Sequence, residues 1–137
     1  MKPNLKEEAR RWFLQAVQDL DDAEFIFSGK RYNVSCFLAQ QAAEKVLKAY
    51  LLAIGAEEVW GHSVADLCRD IVQIDKSFVN WQGRIAPLDK YYIPTRYPNA
   101  LPGGIPAGAF DENDARRALE LAREIIEFVK LKGGFGN

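Results

Sequence analysis

The sequence predicts an all-α protein: an antiparallel up-and-down bundle of four to five helices, with a long ordered proline-rich loop before the last one. Three observations carry that expectation. Apolar residues recur at helical spacing through most of the chain, and no stretch alternates as a half-buried strand does. Capping residues and glycines punctuate these runs at helix-length intervals: Asn4 to Gly29, Ser63, and Asp111 to Gly133-Gly134. Four of the six prolines stand at 94, 98, 102 and 106, so residues 91–110 are expected to be non-helical.

Asn4 caps the first predicted helix, with Glu7 three residues on, and Gly29 stops it after Ser28. At 100° per residue, Leu5, Ala9, Trp12, Ala16, Ala23, Ile26 and Phe27 share one face. A second helix is predicted over 31–54, ended by Gly55, with a loop over 56–61. Ser63 with Asp66 resembles another capping box and opens a third helix through about Ile74. A further helical segment follows over 77–92, with Pro87 starting or kinking part of it. Asp111 caps the last helix, which runs to about Lys132 with the apolar stripe Ala115, Ala118, Leu119, Ala122, Ile125, Ile126 and Val129. Spaced prolines bias the loop before it towards an extended, low-entropy path. Tyr91, Tyr92, Ile93, Tyr97, Leu101, Ile105 and Phe110 offer it apolar anchors, so it is expected to wrap the bundle in an ordered way. Structureless loops of that length are either functional or disordered.

The chain of 137 residues is the size of one domain, 1–137, with enough length for a real core. A net charge of −1 gives no global positive field towards nucleic acid or anionic lipid. The opening MKPNLKEEAR lacks the apolar core of a signal peptide, and no uncharged apolar run reaches the ~18 residues of a membrane span. The expected location is the cytoplasm. Cys36 and Cys68, far apart and without a CxxC context, are expected to be small core residues. With His62 as the only histidine, no His/Cys zinc site is expected, and no cofactor.

Polar residues in apolar surroundings mark the candidate sites. On the second helix, Ala39, Ala42, Ala43, Val46, Ala49 and Ala53 form a small-residue face that lets a neighbour approach closely. The opposite face carries Phe37, Gln41, Glu44, Lys48, Leu51 and Leu52. Glu44 and Lys48 read either as a solvated i,i+4 pair worth ~0.3–0.5 kcal/mol or as part of a subunit interface or ligand cleft. The Phe37, Leu51, Leu52 face predicts a homodimer, because a lone bundle has no evident cover for it. Asp19 falls between Trp12, Ala16, Ala23 and Ile26, where an unpaired carboxylate is costly. Lys45, Lys48 and Arg96 are its candidate partners, with Arg96 favoured because its loop passes over the bundle. Asp19, Gln41 and Glu44 thus form a candidate structural polar cluster. At the loop's head, Tyr92, Arg96 and Tyr97 combine a guanidinium able to bind phosphate bidentately with phenol rings able to stack on a base. With Lys45 and Lys48 they are the candidate nucleotide- or partner-binding residues. The competing reading is that Arg96 pairs with Asp19 or Glu44 and pins the loop.

Four segments in order carry a family resemblance: W-x3-A-x2-D-L-x2-A from Trp12 to Ala23, FLAQQAAEKVLKAYLLAIG over 37–55, GHSVADL over 61–67, and YYIPTRYPNA over 91–100. Together they resemble the HEPN domain (higher eukaryotes and prokaryotes nucleotide-binding), over nearly the whole chain. The resemblance implies a helical bundle, usually homodimeric, often encoded beside a minimal nucleotidyltransferase with which it forms complexes, some of them toxin–antitoxin pairs. Other HEPN proteins are metal-independent endoribonucleases with an R-x4-6-H motif shared across two subunits. Here Arg96 is followed by YPNALPG, and no arginine precedes His62 at that spacing. Without an imidazole beside Arg96, no group titrating near neutrality serves acid–base chemistry. His62 reads as a turn or helix-start residue. The sequence therefore points to a non-catalytic nucleotide- or nucleotidyltransferase-binding protein, and secondarily to a divergent dimeric endoribonuclease.

Overall fold

A computed structural model of the chain describes residues 4–136. The first helix, α1 (Leu5–Ser28), starts where Asn4 Oδ1 accepts from the Lys6 amide at 2.8 Å. It ends as predicted at Gly29, but the left-handed residue of the turn is Lys30, at φ 61°. The Arg31 amide then closes the turn on the Ile26 carbonyl. The buried stripe of α1 is Ala9, Phe13, Ala16, Asp19, Leu20 and Ala23. The predicted face is thus rotated: Trp12, Ile26 and Phe27 are only half-buried, and Phe13 and Leu20 take their place.

Helix α2 (Tyr32–Ala53) is the axis of the bundle, with α1 along one side and the last helix, α6 (Glu112–Gly133), along another. Its small face makes this crowding feasible. Ala39, Ala42, Ala43, Val46 and Ala49 are fully buried, with Ala16 and Ala23 on α1 and Ala115, Ala118 and Ala122 on α6 equally so. Only Ala53, at its end, is exposed. Ser35 Oγ donates to the Ala23 carbonyl at 2.9 Å, tying the two helices at their narrow end. Cys36 and Cys68 are core residues, and burial pushes their thiols up to about 12 and about 11.

Ser63 caps α3 (Val64–Val72) through the Asp66 amide. The segment predicted as one helix over 77–92 is broken into three: a 3₁₀ turn at Lys76–Phe78, α4 (Trp81–Ile85), and a 3₁₀ stretch at Ala86–Tyr91 with Pro87 in its first turn. The following loop corrects the expectation that residues 91–110 exclude helix. Pro98 and Pro106 each begin a short helical turn, Pro98–Ala100 and α5 (Pro106–Ala109), because proline's fixed φ suits the first helical position and its missing N–H is not needed there. Its anchors also differ. Tyr91, Thr95 and Pro106 are buried and Phe110 meets Tyr91 edge-on at 5.9 Å, whereas Ile93, Tyr97 and Ile105 are exposed. A full capping box between Asp111 and Asp114 opens α6, and every residue of its predicted stripe is buried. Gly134, at φ 70°, turns the chain back so that Phe135 stacks on Phe13 at 4.7 Å. No helix among the described residues is long and apolar enough to cross a membrane.

Candidate functional site

Three polar groupings lie in succession along the side of α2 that its small face leaves free. The first is in the α1–α2 seam. Asp19 is buried, and its carboxylate accepts from Lys45 Nζ at 2.6 Å and from Gln15 Nε2 at 2.8 Å. Beside it, Glu8, Arg11, Trp12, Gln15 and Lys45 line an open cleft of about 370 Å³. Arg96 does not reach Asp19, so the favoured Asp19–Arg96 pair is overturned. The reason is register: α1 and α2 run antiparallel, which sets Lys45 directly across from Asp19.

The second grouping centres on Glu44. Its carboxylate is 3% exposed and receives four donors: Lys48 Nζ at 3.0 Å, His62 Nδ1 at 3.3 Å, and the amides of Gln40 and Gln41, both at 3.3 Å. Lys48 is equally buried and lies 5.4 Å over the Trp12 ring. Glu44 and Lys48 are therefore not a solvated pair. Leu51 and Leu52 are buried within one chain, whereas Phe37, the third residue of the face from which a homodimer is expected, stays half-buried.

The third grouping is at the head of the proline loop. Arg96 is exposed, and its guanidinium carbon lies 4.2 Å from the centre of Phe37, 4.7 Å from Tyr92 and 5.1 Å from Tyr97. Its Nε donates to the Tyr92 carbonyl at 2.8 Å. Among the described residues it makes no ion pair, with Glu44 or any other acid. The loop that carries it is held from below: Thr95 is buried, its hydroxyl donates to the Tyr91 carbonyl, and Asn33 donates to the Thr95 carbonyl at 3.0 Å.

The structure brings Tyr92, Arg96 and Tyr97 together, adds Phe37, and leaves Lys45 and Lys48 engaged with their own carboxylates. It also adds a residue that the sequence reading set aside. The His62 ring stacks on Tyr92 at 4.8 Å, nearly parallel, so an imidazole and Arg96 share one aromatic platform. The premise that no imidazole stands near Arg96 is corrected. His62 is placed by two contacts. Gln40 Nε2 donates to its carbonyl at 2.9 Å, and Asp89 grips the next residues through Ser63 Oγ, at 2.6 Å, and the Val64 amide, at 2.7 Å. That carboxylate at the start of α3 also complements the helix dipole. Gln40 and Glu44, polar side chains buried on α2, are the residues that meet the His62 loop.

Fold and site together define a class: an all-α bundle in which a long excursion sets a cation on a bed of aromatic rings, with no counter-acid among the described residues. The chain belongs to the HEPN domain family, whose model matches residues 9–132. It is 42% identical to TT1696 from Thermus thermophilus, whose crystal structure superposes with a TM-score of 0.79 over 90% of this chain and 97% of that one. It is 34% identical to ST0689, described as an archaeal HEPN homologue, with a TM-score of 0.75 over 91% of this chain and 97% of that one. A relative from Methanocaldococcus jannaschii named "Putative toxin MJ1304" is 26% identical, covering 93% of this chain and 91% of that protein.

Proposed function

We propose that the chain is a nucleotide-binding HEPN protein that works in a toxin–antitoxin-like pair with a minimal nucleotidyltransferase, and that the Arg96 cluster is where the nucleotide or the partner docks. One observation carries this reading. Arg96 is fixed in place by three rings and a backbone carbonyl, yet its two terminal nitrogens have no partner among the described residues. A guanidinium already oriented in this way offers a phosphate two parallel hydrogen bonds at little entropic cost, and Tyr97 beside it is half-exposed and free to stack on a base. The toxin-named relative supports the pairing. A homodimer belongs to the same proposal, but it would have to use surface other than Leu51 and Leu52. Calorimetric titration with nucleotides tests the binding, with Arg96→Ala as the control. Binding that survives in Arg96→Ala places the nucleotide elsewhere.

A second reading is favoured by the placement of His62: a divergent, metal-independent endoribonuclease. A buried Glu44 beneath an exposed imidazole, with Arg96 on the same ring, has the parts of a proton acceptor next to a phosphate-binding cation. Incubation with mixed RNA in chelator distinguishes the two. Cleavage that disappears in both Arg96→Ala and His62→Gln makes the protein an enzyme, and intact RNA keeps it a binding partner.

A further inference from the structure

We infer that His62 is the second arm of the anion site at Arg96, so that the phosphate group of a bound nucleotide bridges the guanidinium and the imidazole and is taken up together with a proton. The inference rests on the nucleotide reading above and adds to it a second contact and a dependence on pH.

The geometry supplies three steps. His62 Nδ1 faces Glu44 Oε2 at 3.3 Å. An ionised carboxylate only accepts, so Nδ1 carries a hydrogen and the tautomer is set. Glu44 cannot swing away to change this, because Lys48, Gln40 and Gln41 hold both of its oxygens. The second step concerns the other ring nitrogen. The His62 side chain is 58% exposed while Glu44 is buried, which leaves Nε2, across the ring, for a ligand at the surface. The third is proximity. The imidazole lies 4.8 Å and the guanidinium 4.7 Å from the Tyr92 ring centre, so the two cationic arms are held against one shared ring.

Neutral Nε2 presents a lone pair, which repels a phosphate oxygen. Protonated Nε2 presents an N–H and a positive charge. Imidazole changes between these forms near physiological pH. Among the described residues, the charged groups linked to the ring through the contacts above are Glu44 and Lys48 from α2, Asp89 from the Ala86–Tyr91 turn, and Arg96 beyond Tyr92, two acids and two bases. A phosphate added to this balance favours the protonated ring. Linkage then requires that affinity for the phosphate fall as pH rises and that bound phosphate raise the pH at which His62 titrates.

The chain's single histidine makes the test direct, because its imidazole signals in an NMR spectrum of the untagged protein have no competitors. The probe is a dinucleoside monophosphate, whose diester keeps one charge at every pH used. A mononucleotide would blur the result by titrating near pH ~6 itself. The expected result has three parts. The free protein shows hydrogen on Nδ1. Saturating probe raises the titration midpoint of His62 by about half a pH unit or more, equivalent to roughly threefold tighter binding by the protonated form. Arg96→Ala abolishes that rise, and His62→Gln binds with no pH dependence. A probe that binds through Arg96 while leaving the His62 midpoint unmoved overturns the second arm and leaves the nucleotide reading standing. A wild-type protein that binds no probe at all removes both.

Discussion

Two regions of the molecule treat their charges in opposite ways. In the α1–α2 seam, every buried charge has a counter-charge and further hydrogen bonds: Asp19 with Lys45 and Gln15, Glu44 with Lys48, His62 and two glutamines. At the head of the proline loop, Arg96 has rings and a carbonyl but, among the described residues, no acid. The difference follows from burial. An unpaired charge inside costs several kcal/mol and is not tolerated. An exposed guanidinium stays hydrated and can be left without a partner. What the first region commits to stability, the second leaves open for a ligand.

Breaking the seam should produce the largest effect. Lys48→Met strands a carboxylate that is almost fully buried, and a loss of about 3–5 kcal/mol is expected in urea unfolding. The double variant Glu44→Gln with Lys48→Met should recover much of it, because it leaves no buried charge. A loss under ~1 kcal/mol for Lys48→Met would show that the pair is effectively solvated. Next comes the outer pair. Lys45 is 23% exposed, so water softens the loss, and Lys45→Met should cost about 2–3 kcal/mol. A double-mutant cycle sharpens the contrast: Asp19 and Lys45 should couple, while Asp19→Asn and Arg96→Gln should add within ~0.5 kcal/mol. Coupling between Asp19 and Arg96 would restore the pairing that the structure overturns.

A smaller effect appears in acid. The Tyr50 hydroxyl, with help from Ser77, holds the Asp75 carboxyl down at about 2 against an ordinary 3.8. A carboxyl lowered on folding stabilises the protein fully above its unfolded value, and that stabilisation is lost as pH falls from about 4 through about 2. Tyr50→Phe should therefore be less stable than wild type near neutral pH, and the gap should narrow towards pH of about 2. A gap that holds constant would mean that Asp75 is not the group responsible.

The bundle was legible because its signals are local. Asn4, Ser63 and Asp111 cap helices through side chains that reach only two or three residues, and the α6 stripe is a pattern within one helix. The small face of α2 likewise announced close neighbours. The site was less legible because its members meet only in three dimensions. Phe37, His62 and Arg96 come from three separate segments and converge on Tyr92, itself at the end of a 3₁₀ stretch that the sequence presented as one helix. Charge alone did not tell Lys45 from Arg96 as the partner of Asp19. That choice is made by the register of α1 on α2. The short turns at Pro98 and Pro106 are hidden because regularly spaced prolines signal an extended path, although each can also start a helical turn.

The contrast between a satisfied seam and an open arginine comes down to one measurement: unfolding free energy of wild type and Arg96→Ala, each with and without saturating nucleotide. Without nucleotide the two should differ by no more than about 2 kcal/mol, because three ring contacts share one exposed, hydrated cation. With nucleotide at about a hundred times its dissociation constant, wild type should gain about 2.7 kcal/mol and Arg96→Ala little or nothing. An Arg96→Ala protein that loses about 3 kcal/mol on its own, as a broken buried pair would, or one that gains from nucleotide as much as wild type does, would show that Arg96 is a structural clasp and not a site.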